Sequence, residues 1–279
     1  MAIEESVAGA VDVRSSVKVP VREVAELALV ALAFLLYFVV RANVIDRPEL
    51  ALEDARHVIA WERALGLQYE FDAQDAIMGS RLAVRLFNFV YFWLDFPLIA
   101  GVGLLMYFRR RAQYTFTRDA ILFSGACALV AYSLFPVAPP RLVPETGLID
   151  TLQAFNNLSY QAQSTSFFVN PFAAMPSRHV GWAVVWAIGV WLAFPESRLI
   201  RVLALLHPLT QWASTVVTGN HFWLDGVGGL IAASLGLTFA VVMQRWGYEA
   251  LRRAAPRGTS TTPLTPLSVD GEGKLRHRQ

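Results

Sequence analysis

Two histidines stand in segments whose other residues could support phosphoryl chemistry. His221 precedes Asp225 by four residues within STVVTGNHFWLDGVGG, residues 214–229. That spacing puts both side chains on one helical face, where a carboxylate can hydrogen-bond one ring nitrogen and leave the other free. His179 follows Ser177 and Arg178 at the head of another apolar run, Arg141 ends the sequence APPR, and Asn220 directly precedes His221. Guanidinium forks match phosphate oxygens in pairs, and a helix start offers free amides and a favourable dipole. If the chain brings these segments to one place, they form a phosphate site.

The elements that must do so are hydrophobic. Of 279 residues 55% are hydrophobic and 16% charged, and the mean hydropathy is +0.42. This is too apolar and charge-poor for an ordinary soluble domain and indicates a polytopic membrane protein. The net charge of +2 carries no message about nucleic acid, and none is expected as a partner. The single cysteine, Cys127, excludes a disulfide framework or a thiolate metal site within one chain.

Six apolar runs are read as spans: Val24–Val40, Leu86–Phe108, Ala120–Phe135, Val180–Phe194, Leu199–Val217 and Phe222–Trp246. They are continuous rather than alternating, so the expected fold class is all-α, a six-transmembrane-helix bundle. Arg109, Arg110, Arg111 and Arg118, then Arg198 and Arg201, then Arg245, Arg252, Arg253 and Arg257 fall on one side, with Arg14, Lys18 and Arg22 of the N-terminus. Excess positive charge marks the cytoplasmic side, which puts both termini there in the plasma membrane and the three site segments on the outer face. The expected organisation is a cytoplasmic segment 1–21, a catalytic domain 22–248, and a disordered cytoplasmic tail 249–279. The first run lacks a small-residue cleavage site and reads as an anchor. Between the first two runs, Pro48–Gly66 has Leu52, Ala55, Ile59 and Leu65 at helical spacing and is expected as an amphipathic helix on the outer surface. The connection Pro136–Met175 has room for a short capping helix.

PSRH at 176–179 together with NHFWLD at 220–225 resembles the second and third signature motifs of the type-2 phosphatidic acid phosphatase superfamily of membrane lipid phosphatases and phosphotransferases. With APPR and MPSRHVGWA, the set is similar to the branch that includes inositol phosphorylceramide synthases. The resemblance implies His221 as the nucleophile that forms a phosphohistidine and Asp225 as its orienting carboxylate. His179 is then the acid that protonates the leaving oxygen and later the base that activates water or an alcohol. It implies Arg141, Arg178, Ser177 and Asn220 as phosphate-binding residues. No metal or other cofactor is implied. The implied partners are a phospholipid or polyprenyl phosphate or diphosphate, membrane lipid, and a polyol or glycan acceptor if the reaction is transfer. Two departures stand out: Thr215 occupies the place of an arginine, and the lysine of the usual first motif is missing, with Arg141 the nearest equivalent. The chemistry agrees with these roles, since a neutral imidazole is a competent nucleophile near neutral pH and its carboxylate partner stabilises the cation formed on attack.

Two other classes compete. A transporter or assembly factor needs no nucleophile, and a histidine-ligated metal or haem protein would use His179 and His221 as ligands but lacks further ligands at suitable spacing. His207, beside Pro208, reads as structural, and His57 as solvated or interfacial. Asp95, inside the second run, divides evenly between structural pairing and a role along the substrate path. Glu23 and Glu26 read as interfacial, and Gly226, Gly228 and Gly229 as helix-packing positions.

Overall fold

The computed structural model describes residues 21–44, 47–156, 171–254, 268–269 and 275–276. Residues 1–20 and most of the tail expected to be disordered lie outside them. The chain divides into a large unit, residues 1–240, and a small one, residues 241–279.

The large unit is helical. Its elements are α1 Val21–Val44, α2 Pro48–Leu65, α3 Glu70–Met78, α4 Arg81–Trp93, α5 Phe96–Arg109, α6 Arg111–Leu134, α7 Thr151–Asn156, α8 Arg178–Ala193, α9 Arg198–Val217 and α10 Trp223–Val242. The last of these runs two residues past the boundary. The small unit contains a π-helical turn Met243–Gly247, α11 Tyr248–Ala254, and a strand pair joining Ser268–Val269 to Leu275–Arg276.

Each of the six apolar runs becomes helix, yet among the described residues only two stretches, Glu23–Val40 and Trp223–Leu251, are by themselves long and apolar enough to cross a membrane. The second expected span is broken: α4 and α5 pass the same test together but bend by 45° at Leu94–Asp95. Pro97 at the start of α5 cannot donate into a continuous helix, so the chain restarts there. By length and composition the described helices thus supply two candidate spans, or three if the bent pair is one.

Small residues set the packing. α8 packs on α9 and α6, α1 on α6, and α9 on α3 and α4. A Cβ on Gly181 would meet the Gly229 carbonyl oxygen at 2.8 Å, and one on Gly229 would meet the Ser177 carbonyl oxygen at 2.4 Å. The backbones of α8 and α10 thus touch where their sequences carry glycine. At the far end of α6, Arg118 pairs with Glu26, and Arg111 with Glu23 at 2.8 Å. Glu23 and Glu26, read as merely interfacial, instead tie α1 to α6.

The amphipathic helix also differs from expectation. α2 buries Ala51, Ala55 and Val58 in a cluster with Val137, Ala138, Val143 and Phe222, while Leu65 is exposed. The buried stripe is Ala51, Asp54, Ala55, Val58 and Glu62, offset from the predicted one, and it faces protein. Small residues let α2 approach the site loop more closely than leucines would. The capping helix of the Pro136–Met175 connection is α7, preceded by 3-10 turns at Pro140–Leu142 and Pro144–Thr146; residues 157–170 lie outside the described ones.

Candidate active site

The turn from α9 into α10 carries His221. Gly219 takes a φ of +74°, and a Cβ there would meet the Ile149 carbonyl oxygen at 2.7 Å, so the turn requires glycine. The Thr215 carbonyl accepts from the backbone N–H of both Asn220 and His221 at 3.0 Å, and the Gly219 carbonyl accepts from Arg141 N–H at 3.0 Å. Thr215 itself is fully buried, its hydroxyl donating to the Trp212 carbonyl at 2.7 Å. The place of the missing arginine is thus part of the turn's frame.

The His221 ring is anchored through Nδ1. Its Nδ1 lies 2.8 Å from the Ala174 carbonyl oxygen and 3.2 Å from Asp225 Oδ2. A carbonyl can only accept, so Nδ1 carries the hydrogen, and in the neutral ring Nε2 presents a lone pair. Asp225, with no exposed surface, also accepts from Phe222 N–H at 2.8 Å, and its own carbonyl accepts from Ser177 N–H at 2.8 Å. One residue thereby orients His221 and anchors the start of α8.

His221 Nε2 lies 3.3 Å from His179 Nδ1. The His179 ring stacks on Tyr91 at 4.5 Å, and its Nε2 lies 3.5 Å from Asp95 Oδ2. The break between α4 and α5 therefore gives Asp95 a partner that the sequence could not name.

Both arginines sit beside these rings. Arg141 Nε contacts Asp150 Oδ2 at 3.2 Å and its Nη1 donates to Asn220 Oδ1. The Arg178 guanidinium lies among the rings of Tyr37, Tyr132 and Trp182 at 5.4–5.8 Å, and among the described residues no carboxylate forms an ion pair with it. Aromatic faces stabilise the cation without neutralising it, so its charge stays available to an anion.

Arg141, Arg178, His179, Asn220 and His221 all line a cavity of about 550 Å³, with Asp95. Its remaining wall is apolar, including Leu29, Leu32 and Leu36 of α1, Phe92 and Phe96 of the broken pair, and Leu129 of α6. Asp225 stands behind His221. Ser177 does not line this cavity: it is 1% exposed and its hydroxyl accepts from Val180 N–H at 3.4 Å as the N-cap of α8. The other described histidines stay apart. His57 is exposed beside Asp54, and His207 is buried against Trp186. Among the described residues no group of three or more His, Cys, Asp or Glu side chains is arranged to hold a metal ion.

Two supporting acids escaped the sequence reading. Glu62 Oε1 accepts from Leu224 N–H at 2.8 Å, and Glu70 Oε1 from Trp223 N–H at 3.4 Å. With Asp225 on Phe222, three carboxyls cap three successive amides after His221, which fixes the entry of α10. Burial, with Glu70 alongside, pushes Glu62 up to about 9. The signal was Glu62's register, four residues beyond Val58 on the small-residue stripe of α2.

A family model described as the PAP2 superfamily matches residues 56–239. No curated protein and no solved structure matches the chain.

Proposed function

The chain belongs to the PAP2 superfamily, and from that premise we propose a membrane-embedded lipid phosphatase or phosphotransferase that works through a phosphohistidine on His221. The observation that carries the reading is the placement of His221 on the cavity wall, with Nδ1 held by Ala174 and Asp225 and Nε2 facing His179 Nδ1 at 3.3 Å.

The reaction divides in two. His221 Nε2 attacks phosphorus, the bond to the leaving oxygen breaks, and His179 Nδ1 gives that oxygen a proton. Asp225 stabilises the imidazolium character of phosphohistidine. In the second half, water or an alcohol loses its proton to His179 and attacks phosphorus, which returns His221. Arg141 and Arg178 neutralise the phosphoryl oxygens and Asn220 holds the Arg141 fork in place. This sequence of steps uses no metal. The apolar cavity walls suit a substrate with a hydrocarbon tail, a phospholipid or polyprenyl phosphate or diphosphate. The arginine distribution puts the site on the extracytoplasmic face of the plasma membrane, in a six-span topology with both termini inside.

The test is chemical trapping. Full-length protein in detergent is mixed with radiolabelled dioctanoyl phosphatidate and quenched in alkali. An acid-labile, alkali-stable label on protein, absent in His221→Ala, is the expected result; equal labelling or full turnover by His221→Ala refutes it. The resemblance of APPR, MPSRHVGWA and NHFWLD to inositol phosphorylceramide synthases favours a second version, in which a polyol such as inositol replaces water or a phosphoryl-polyol is the group moved. Phosphate release that is indifferent to every added polyol rules that version out.

A further inference from the structure

The geometry points to Asp95 as the positioning residue of His179, forming with it a pair that stores the proton delivered to the leaving group. This inference rests on the phosphohistidine reading above.

The Ala174 carbonyl requires hydrogen on His221 Nδ1, so in the neutral ring, the form able to attack phosphorus, His221 Nε2 can only accept. His179 Nδ1, 3.3 Å away, must then donate to it. That leaves His179 Nε2 facing Asp95 Oδ2 at 3.5 Å. Two bare lone pairs at that distance repel, so one proton lies between them, as a carboxylic acid beside neutral imidazole or a carboxylate beside imidazolium. In either form Asp95 and His179 together hold two protons. One of them is surplus and transferable.

Use of that proton balances. As the phosphorus–oxygen bond breaks, the His179 Nδ1 proton passes to the leaving oxygen, and the remaining proton stays on Nε2 against the Asp95 carboxylate. His179 is then neutral, with a lone pair on Nδ1, the form needed to take a proton from water or an alcohol. That transfer restores the starting state. Asp95 never touches phosphorus; it acts through the ring.

The surroundings fit this task. Asp95 is 2% exposed, and its Oδ1 has no hydrogen-bond partner among the described residues. A buried carboxyl without full hydrogen bonding is costly unless its protonation state is shared with a neighbour. Arg178 is the charged group acting on it from α8, and Tyr91 stacks on the far partner of the pair. Asp95 sits at the break between α4 and α5, where it lines the cavity beside His179.

The experiment compares leaving groups. Octyl phosphate expels an alkoxide that needs a proton, whereas 4-nitrophenyl phosphate expels an anion that does not. In Asp95→Asn, which preserves shape, kcat on octyl phosphate falls on the order of 10²-fold or more, the scale of general acid catalysis, and on 4-nitrophenyl phosphate less than about 10-fold. Asp95→Glu, which keeps a carboxyl, recovers at least about ten-fold of the octyl phosphate activity lost by Asp95→Asn. Equal losses on both substrates, no loss, or a Glu variant no better than Asn each overturn the inference. His221→Ala is run alongside. If it is inactive on both substrates while Asp95→Asn shows no selectivity, this inference alone fails; if it turns over, the phosphohistidine reading fails and takes this one with it.

Discussion

Gly229 lies under the Ser177 carbonyl so closely that a Cβ on it would come within 2.4 Å of that oxygen. Ser177 caps the helix that carries His179, and Gly229 belongs to the helix that follows His221. This backbone contact is what brings His221 and His179, 42 positions apart, to 3.3 Å.

Gly229→Ala is therefore expected to separate the two rings rather than only loosen the fold. Overpacking of this kind costs about 1–3 kcal/mol, so a lower melting temperature accompanies a large fall in kcat. Gly103→Ala, where a Cβ meets nothing within 4 Å, serves as the control and leaves both unchanged. Comparable kcat values in the two variants would break the link between glycine contact and site geometry.

Phe222 N–H and His221 Nδ1 share one acceptor, Asp225 Oδ2, so Asp225→Asn keeps both hydrogen bonds with its amide oxygen in that place. What it removes is the negative charge that stabilises the imidazolium character formed on attack. The expected loss in kcat is on the order of 10²–10⁴-fold, up to the scale of the same substitution in other carboxylate–histidine pairs, with a melting temperature near wild type. A loss under ten-fold would show that attack by His221 does not need the charge of Asp225.

Arg141 spreads its fork over Asp150 and Asn220, a geometry that lysine cannot copy. Arg141→Lys is predicted to lower kcat/KM by about 10–100-fold, or roughly 1.4–2.7 kcal/mol of transition-state binding, and to weaken inhibition by inorganic phosphate in parallel. Inhibition unchanged at reduced kcat/KM would remove Arg141 from the phosphate clamp.

Glu62 gives a pH dependence of stability. Its folded value, about 9, lies above the 4.5 of an ordinary glutamate. The folded state thus binds a proton that the unfolded chain has lost, and stability falls as pH rises between those two values. Glu62→Gln keeps an acceptor for Leu224 N–H and removes the titration. Thermal unfolding in detergent from pH 5 to pH 8.5 is expected to show a shallower decline for Glu62→Gln, with the largest gain at the alkaline end. Parallel curves would mean that Glu62 is ionised in the folded protein.

Much was legible in the chain itself because it depends on short-range spacing and composition. The apolar runs announced helices, the four-residue step from His221 to Asp225 announced their contact, and the motifs announced the superfamily. What the sequence could not determine were relations across distance. Whether a run such as Leu86–Phe108 is one straight span or two helices meeting at Asp95 depends on whether packing against α8 and α9 offsets the broken backbone bonds. That Thr215 is framework, that Ser177 spends its hydroxyl on a cap, and that Glu62 reaches Leu224 from 162 positions away are equally tertiary facts. A local pattern specifies which hydrogen bonds a residue can make, and only the assembled fold decides which partner is near enough to take them.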